Sequence, residues 1–111
     1  MRVTSSLWVA AYVRRCYHEG AFATVARKGA EEAGAILIIV DRRDGGLDLY
    51  VPAPQSEFIE DRPSDRLFQR VLESAIAGAV EARIEKERRF DPDVWVVEVE
   101  DRAGRAFLDT V

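Results

Sequence analysis

Cysteine is almost missing from this chain: Cys16 stands alone among 111 residues, so no intrachain disulfide can form. His18 is the only histidine, and with no Cys/His cluster at ligand spacing, neither a structural zinc site nor any other metal or cofactor is expected. That usage suits a reducing, cytoplasmic setting. Long apolar runs are also lacking. Leu7 to Val13 and Ala35 to Val40 are the longest, far short of the ~20 residues that span a bilayer, so no membrane contact is expected. The first run meets Arg14 and Arg15 with no small-residue cleavage pattern behind it, which argues against a signal peptide. No nucleophile stands at a fixed spacing from a base. The glycines match neither a phosphate loop nor a dinucleotide fingerprint, so no catalytic residue is assigned and a non-enzymatic protein is expected.

Lysine is scarce too: Lys28 and Lys86 are the only two among sixteen basic residues. Arginine-rich usage suits guanidinium recognition of carboxylate or phosphate, but it is more simply explained by a GC-rich coding bias. The net charge of −4 is unevenly spread. Residues 1–43 carry seven basic against four acidic side chains, and residues 44–111 carry nine against sixteen. An acidic chain is a poor match to duplex DNA, whose binders rely on a basic face, so nucleic acid is not favoured as a partner. A local anion site through Arg14, Arg15, Arg27 and Arg89 stays open if folding brings them together.

What is present reads as one α+β domain over residues 1–111. Ser5 or Ser6 can cap a helix of about 14 residues, in which Val9, Tyr12, Val13, Cys16 and Tyr17 recur on one face and Gly20 ends the run. Cys16 and His18 point about 200° apart on such a helix and form no dyad. Phe22 to Lys28 alternates as an edge or half-buried strand, and Gly29 to Gly34 turns the chain. Ala35 to Val40 is apolar on both faces, as a covered central strand requires. Asp44-Gly45-Gly46 closes a hairpin onto Leu47, Leu49 and Val51. Pro52, Pro54 and Pro63 punctuate a connection with Phe58 and Ile59 as its anchors.

From Ser64 to about Arg89 the spacing of Phe68, Leu72, Ala75, Ile76, Ala79 and Val80 predicts a second helix of some seven turns, with Glu85 and Arg89 as a surface pair. Asp91-Pro92-Asp93 stops it, and Phe90 folds back as an anchor. Val94 to Glu100 alternates as a strand, with Trp95, Val97 and Val99 on one face and Glu98 and Glu100 on the other. Arg105 to Asp109 pairs back as a short hairpin strand. Together these give an antiparallel or mixed sheet of about five strands with two helices mainly on one face, or, as the apolar central strand also permits, one on each.

The stretches LWVAAYVRRC at Leu7 to Cys16, GAFATVARKG and EAGAILI between Gly20 and Ile38, and RRFDPDVWVVEVED at Arg88 to Asp101 resemble a small alphaproteobacterial domain-of-unknown-function family, family 1491. The resemblance implies a bacterial cytoplasmic protein that is itself the whole domain, and implies no activity. The expected role is a protein-interaction module that self-associates through the broad apolar face of the second helix. The alternative is an anion- or nucleic-acid-associated protein using the four arginines. An enzyme built on the carboxylate pair Glu98 and Glu100 with Asp41 or Asp91 ranks third, most often such a pair being a solvated face.

Overall fold

The computed structural model describes residues 3–54 and 66–111. Along the chain run α1 (Ser5–His18), β1 (Phe22–Arg27), β2 (Ile36–Asp41), β3 (Leu47–Pro52), β4 (Leu67–Ala75), α2 (Ala77–Phe90), β5 (Trp95–Glu100) and the two-residue β6 (Asp109–Thr110). The strands form one mixed sheet in the order β1-β5-β2-β3-β4-β6. β2 is central, as its doubly apolar sequence requires. It runs parallel to β5 and antiparallel to β3, and Ile36, Leu37, Ile38 and Val40 are essentially inaccessible to solvent.

The α+β class, the mixed sheet and the two helices stand as expected, but the helices lie on opposite faces. Val9, Tyr12 and Cys16 of α1 pack with Ile36, Ile38, Val40, Trp95, Val97 and Val99. Val80 of α2, with half-buried Ile84, packs with Leu37, Leu49, Val51, Val94 and Val96. Strand side chains alternate, so these two sets belong to the two sides of β2 and β5. An arrangement with both helices mainly on one face would leave one of them bare.

The largest departure is at β4. The long second helix is in fact a nine-residue strand followed by a 14-residue helix. Register shifts in the β3/β4 ladder between Leu47 and Leu49 and between Leu49 and Tyr50 break the period of two. The better-buried positions of β4 then fall at Leu67, Phe68, Val71, Leu72 and Ala75, a spacing that imitates a helix. Ser74, at φ 53°, turns the chain into α2, whose N-cap Ile76 offers no capping oxygen. The broad apolar helix face therefore dissolves: within α2 only Val80 is buried. Phe90 does not fold back and is 84% exposed. Glu85 pairs with Arg88 at 2.8 Å, and Arg83 with Glu87 at 3.0 Å.

Smaller departures have equally local causes. Thr4, not Ser5 or Ser6, caps α1 by accepting the Leu7 N–H at 3.2 Å, while buried Ser5 donates its hydroxyl to the Gly34 carbonyl at 2.6 Å. Gly20 ends the helix at φ 87°, a left-handed conformation that costs glycine little. The segment after β5 does not hairpin back, because β1 and β2 already flank β5. It turns at Asp101–Gly104, crosses beside α1 and pairs through β6 with Leu67 and Phe68 of β4 in parallel. Phe107 and Leu108 return to the α1 side of the core, as their apolar character suggests. Phe58, Ile59 and Pro63 lie outside the described residues. Among the described residues no helix is long and apolar enough to cross a membrane.

Candidate functional site

Beside the buried face of α1 runs a flank at Trp8, Ala11 and Arg15, three and four residues apart and so one above another. Residues 105–109 pass in front of this flank, held by the Tyr12 hydroxyl, which donates to the Ala106 carbonyl at 2.6 Å. Between them lies a cleft of about 290 Å³, lined by Trp8, Tyr12, Arg15, Arg66, Phe107 and Leu108 among others. Its floor is aromatic: the Trp8 and Tyr12 rings stack at 5.0 Å and 12°, and Phe68 leans on Trp8 at 5.5 Å.

Phe107 adopts φ 58°, a left-handed conformation that costs a non-glycine residue about 1–2 kcal/mol. Its ring lies beside a fixed cation. Arg105 grips the Asp101 carboxylate through two nitrogens, at 2.7 and 3.1 Å, and lays its guanidinium 5.0 Å from the Phe107 ring centre. The hydrogen bonds from Arg105 hold the Asp101 carboxyl below the usual carboxylate range. Burial pushes Tyr12 and Cys16 upward, and each neighbours the other, so both stay neutral near pH 7. The Arg15 guanidinium makes no hydrogen bond or ion pair among the described residues, whereas Arg66 donates to the Val3 carbonyl at 3.0 Å.

The four arginines singled out from the sequence are spread over the molecule. Arg14 borders a shallow hollow with Tyr17 and His18, and Arg15 lines the cleft. Arg27 lies at the far end of β1, roughly 17 Å along the strand from Phe22, where it donates to the Pro92 carbonyl at 3.2 Å. Arg89 sits in the last turn of α2, just before that same bend. The structure thus brings Arg27 toward the turn that follows Arg89 and leaves Arg14 and Arg15 at the other end of β1.

Glu98 and Glu100 share the sheet face opposite α1, the side on which α2 packs over β3, β4 and, at the start of β5, Val94 and Val96. Asp41 stands beside Glu100 in register, with Arg43 between them at 3.8 and 3.7 Å. Burial, then Asp41 and Glu100, raise the Glu98 carboxyl. No group of three or more histidine, cysteine, aspartate or glutamate side chains among the described residues is placed to hold a metal. Asp91, the other acid considered, is spent on structure: it accepts the Ala35 and Asp93 N–H groups.

A third feature is the sheet margin. Among the described residues β1 is paired on one side only, by β5. Phe22 and Val25 on it are 49% and 43% exposed. Alongside, between α1 and β1, runs a trough of about 390 Å³ walled by Val9, Ala10, Val13, Val25 and Trp95. The alternation of β1 suits an edge or half-buried strand, and the structure makes it an edge; neither the trough nor the aromatic cleft has a local signature in the sequence. The helical spacing of Trp8, Ala11 and Arg15 is local, whereas their partners at 105–109 reach them only because this segment does not pair back onto β5.

A family model described as "Protein of unknown function (DUF1491)" matches residues 3–109. A crystal structure of a DUF1491 family protein from Caulobacter crescentus CB15 is 41% identical, with a TM-score of 0.79, over 100% of this chain and 99% of that one. A solution structure of a protein from A. tumefaciens is 44% identical, with a TM-score of 0.79, over 90% of this chain and 86% of that one. An NMR structure of a DUF1491 family protein from Caulobacter crescentus CB15 gives 41% and 0.78 over 100% and 98%. No curated protein matches the chain.

Proposed function

The chain belongs to the DUF1491 family, and from that premise we propose that it is a non-enzymatic protein-interaction module whose working surface is the free edge of β1, used first of all for self-association. The observation that carries this reading is the unpaired six-residue margin beside the apolar trough. An open strand edge offers a row of N–H and C=O groups to another strand, and natural sheets normally blunt such edges with prolines, charges or bulges. Here the blunting is confined to one end, where the ladder bulges between Val25 and Arg27 and Lys28 follows. Toward Phe22 the edge carries no charge. A second copy adding its own β1 in antiparallel fashion would bury Val25 of both chains and extend the sheet, the self-complementary geometry of a two-fold dimer.

Sedimentation velocity over three decades of concentration tests the reading. The native protein is expected to shift from monomer to dimer, and Val25→Lys, at a half-exposed position that the fold tolerates, to stay monomeric. A native protein that remains monomeric throughout refutes self-association.

A further inference from the structure

We propose that the cleft between α1 and residues 105–109 is a binding site for a small ligand that joins a planar apolar ring to an anionic group. The reading is independent of the β1 edge and rests on three observations. The first is the wall chemistry. Trp8 and Phe107 supply aromatic surface on two sides of one cleft, and flat rings are held best between such walls by stacked or edge contacts.

The second is charge. Arg15 reaches the same cleft with a guanidinium that no carboxylate neutralises among the described residues, and its planar fork matches a carboxylate or phosphate better than an ammonium would. Position adds to this, since Arg15 lies in the last turn of α1, where the helix carbonyls favour a cation. Asp109 also lines the cleft, and since like charges repel, the anionic group belongs with Arg15.

The third is strain. Phe107 is left-handed and its ring lies against an arginine that is itself clamped to Asp101, and strained residues gather at sites where a side chain must be aimed. The carbonyl next to it, Ala106, is pinned by Tyr12. Packing alone does not require this: Phe107 remains only half buried.

Size narrows the class. At about 290 Å³ the cleft stands at the lower limit of ligand pockets, enough for one or two fused rings and too small for a dinucleotide. A single free guanidinium also falls short of what a nucleic-acid backbone demands.

The test uses naphthalene-2-carboxylate as the probe, with 2-naphthylmethanol and acetate as its two halves, followed by the indole N–H resonances in a ¹H–¹⁵N spectrum. Trp95 is the internal control, because its indole N–H is already donated to the Ala30 carbonyl at 2.8 Å. The naphthoate is expected to move the Trp8 signal and not that of Trp95, with a dissociation constant on the order of 1 mM or tighter for a ligand of this size. Arg15→Gln, at an exposed position, should weaken it by roughly tenfold. Arg14→Gln, one residue away and outside the cleft, should leave it unchanged. The proposal is overturned if the Trp8 signal stays still at saturating probe, if the neutral alcohol or acetate binds as well, or if the two arginine variants behave alike.

Discussion

Replacing Asp48 by alanine is expected to destabilise the protein by about 3 kcal/mol, a large share of what holds a domain of this size together. Asp48 is fully buried on β3. One carboxylate oxygen accepts from Arg42 through two nitrogens, at 2.9 and 3.1 Å, and the other accepts the Ser74 N–H at 2.8 Å. The three bonds join the β2–β3 hairpin to the place where β4 turns into α2. Breaking a buried pair from one side costs about 3–5 kcal/mol, because the remaining partner is left uncompensated. The lower end applies here, since the Arg42 side chain is 27% exposed and can rehydrate. The Ser74 N–H loses its acceptor as well. With a urea slope of about 1.5 kcal/mol/M, the unfolding midpoint should fall by about 2 M. Arg42→Ala strands the carboxylate itself and should cost more than Asp48→Ala. The double variant should then cost clearly less than the two singles combined. If Asp48→Ala moves the midpoint by less than about 0.5 M, or if the two losses simply add, the clasp is not what fixes this corner.

Gly29→Ala should destabilise by about 3 kcal/mol or more, because a Cβ there would run into the Asp93 carbonyl oxygen and meet the Trp95 ring at 2.7 Å. Gly78→Ala, in open space within α2, should instead be neutral or stabilise by up to about 1 kcal/mol. Urea titration of both reads the contrast, and equal effects would contradict it. Glu98→Gln should raise stability at pH 7 by less than about 1 kcal/mol after solvent screening. Burial, Asp41 and Glu100 raise its folded pKa, so the folded protein holds this proton more tightly than the unfolded chain. Ionisation therefore costs stability above the folded value, and the cost vanishes below the unfolded value near ~4.3. Midpoints at pH 7 and pH 4 should show the gain only at the former, and a gain that grows in acid would refute it.

Elements whose residues obey one period were legible from the sequence. α1 keeps its apolar face at Val9, Tyr12 and Cys16, β2 is apolar from Ile36 to Val40, and β5 sets Trp95, Val97 and Val99 on one buried face. β4 failed for a reason that lies in its partner. Two register shifts along β3 moved the buried positions of LFQRVLESA to a helical spacing, and its residues carry ordinary helix propensities. Nothing local distinguishes such a strand from a helix. Pairing with β3 outweighs propensity, and that pairing is visible only once Asp48 is seen to hold Ser74.

The same logic explains why the cleft and the edge were harder to read than the core. A core residue announces itself by its own period, whereas a site is a meeting of segments. Tyr12 and Ala106 are 94 positions apart, and what joins them is one hydrogen bond from a hydroxyl to a carbonyl. That contact depends on the C-terminal segment leaving β5 rather than pairing with it, which follows from β1 and β2 occupying both its edges. The placement of β1 outside β5 thus does two things at once. It leaves one strand edge open at the margin of the sheet, and it sends residues 105–109 across α1, where Phe107 comes to face Trp8 and Arg15.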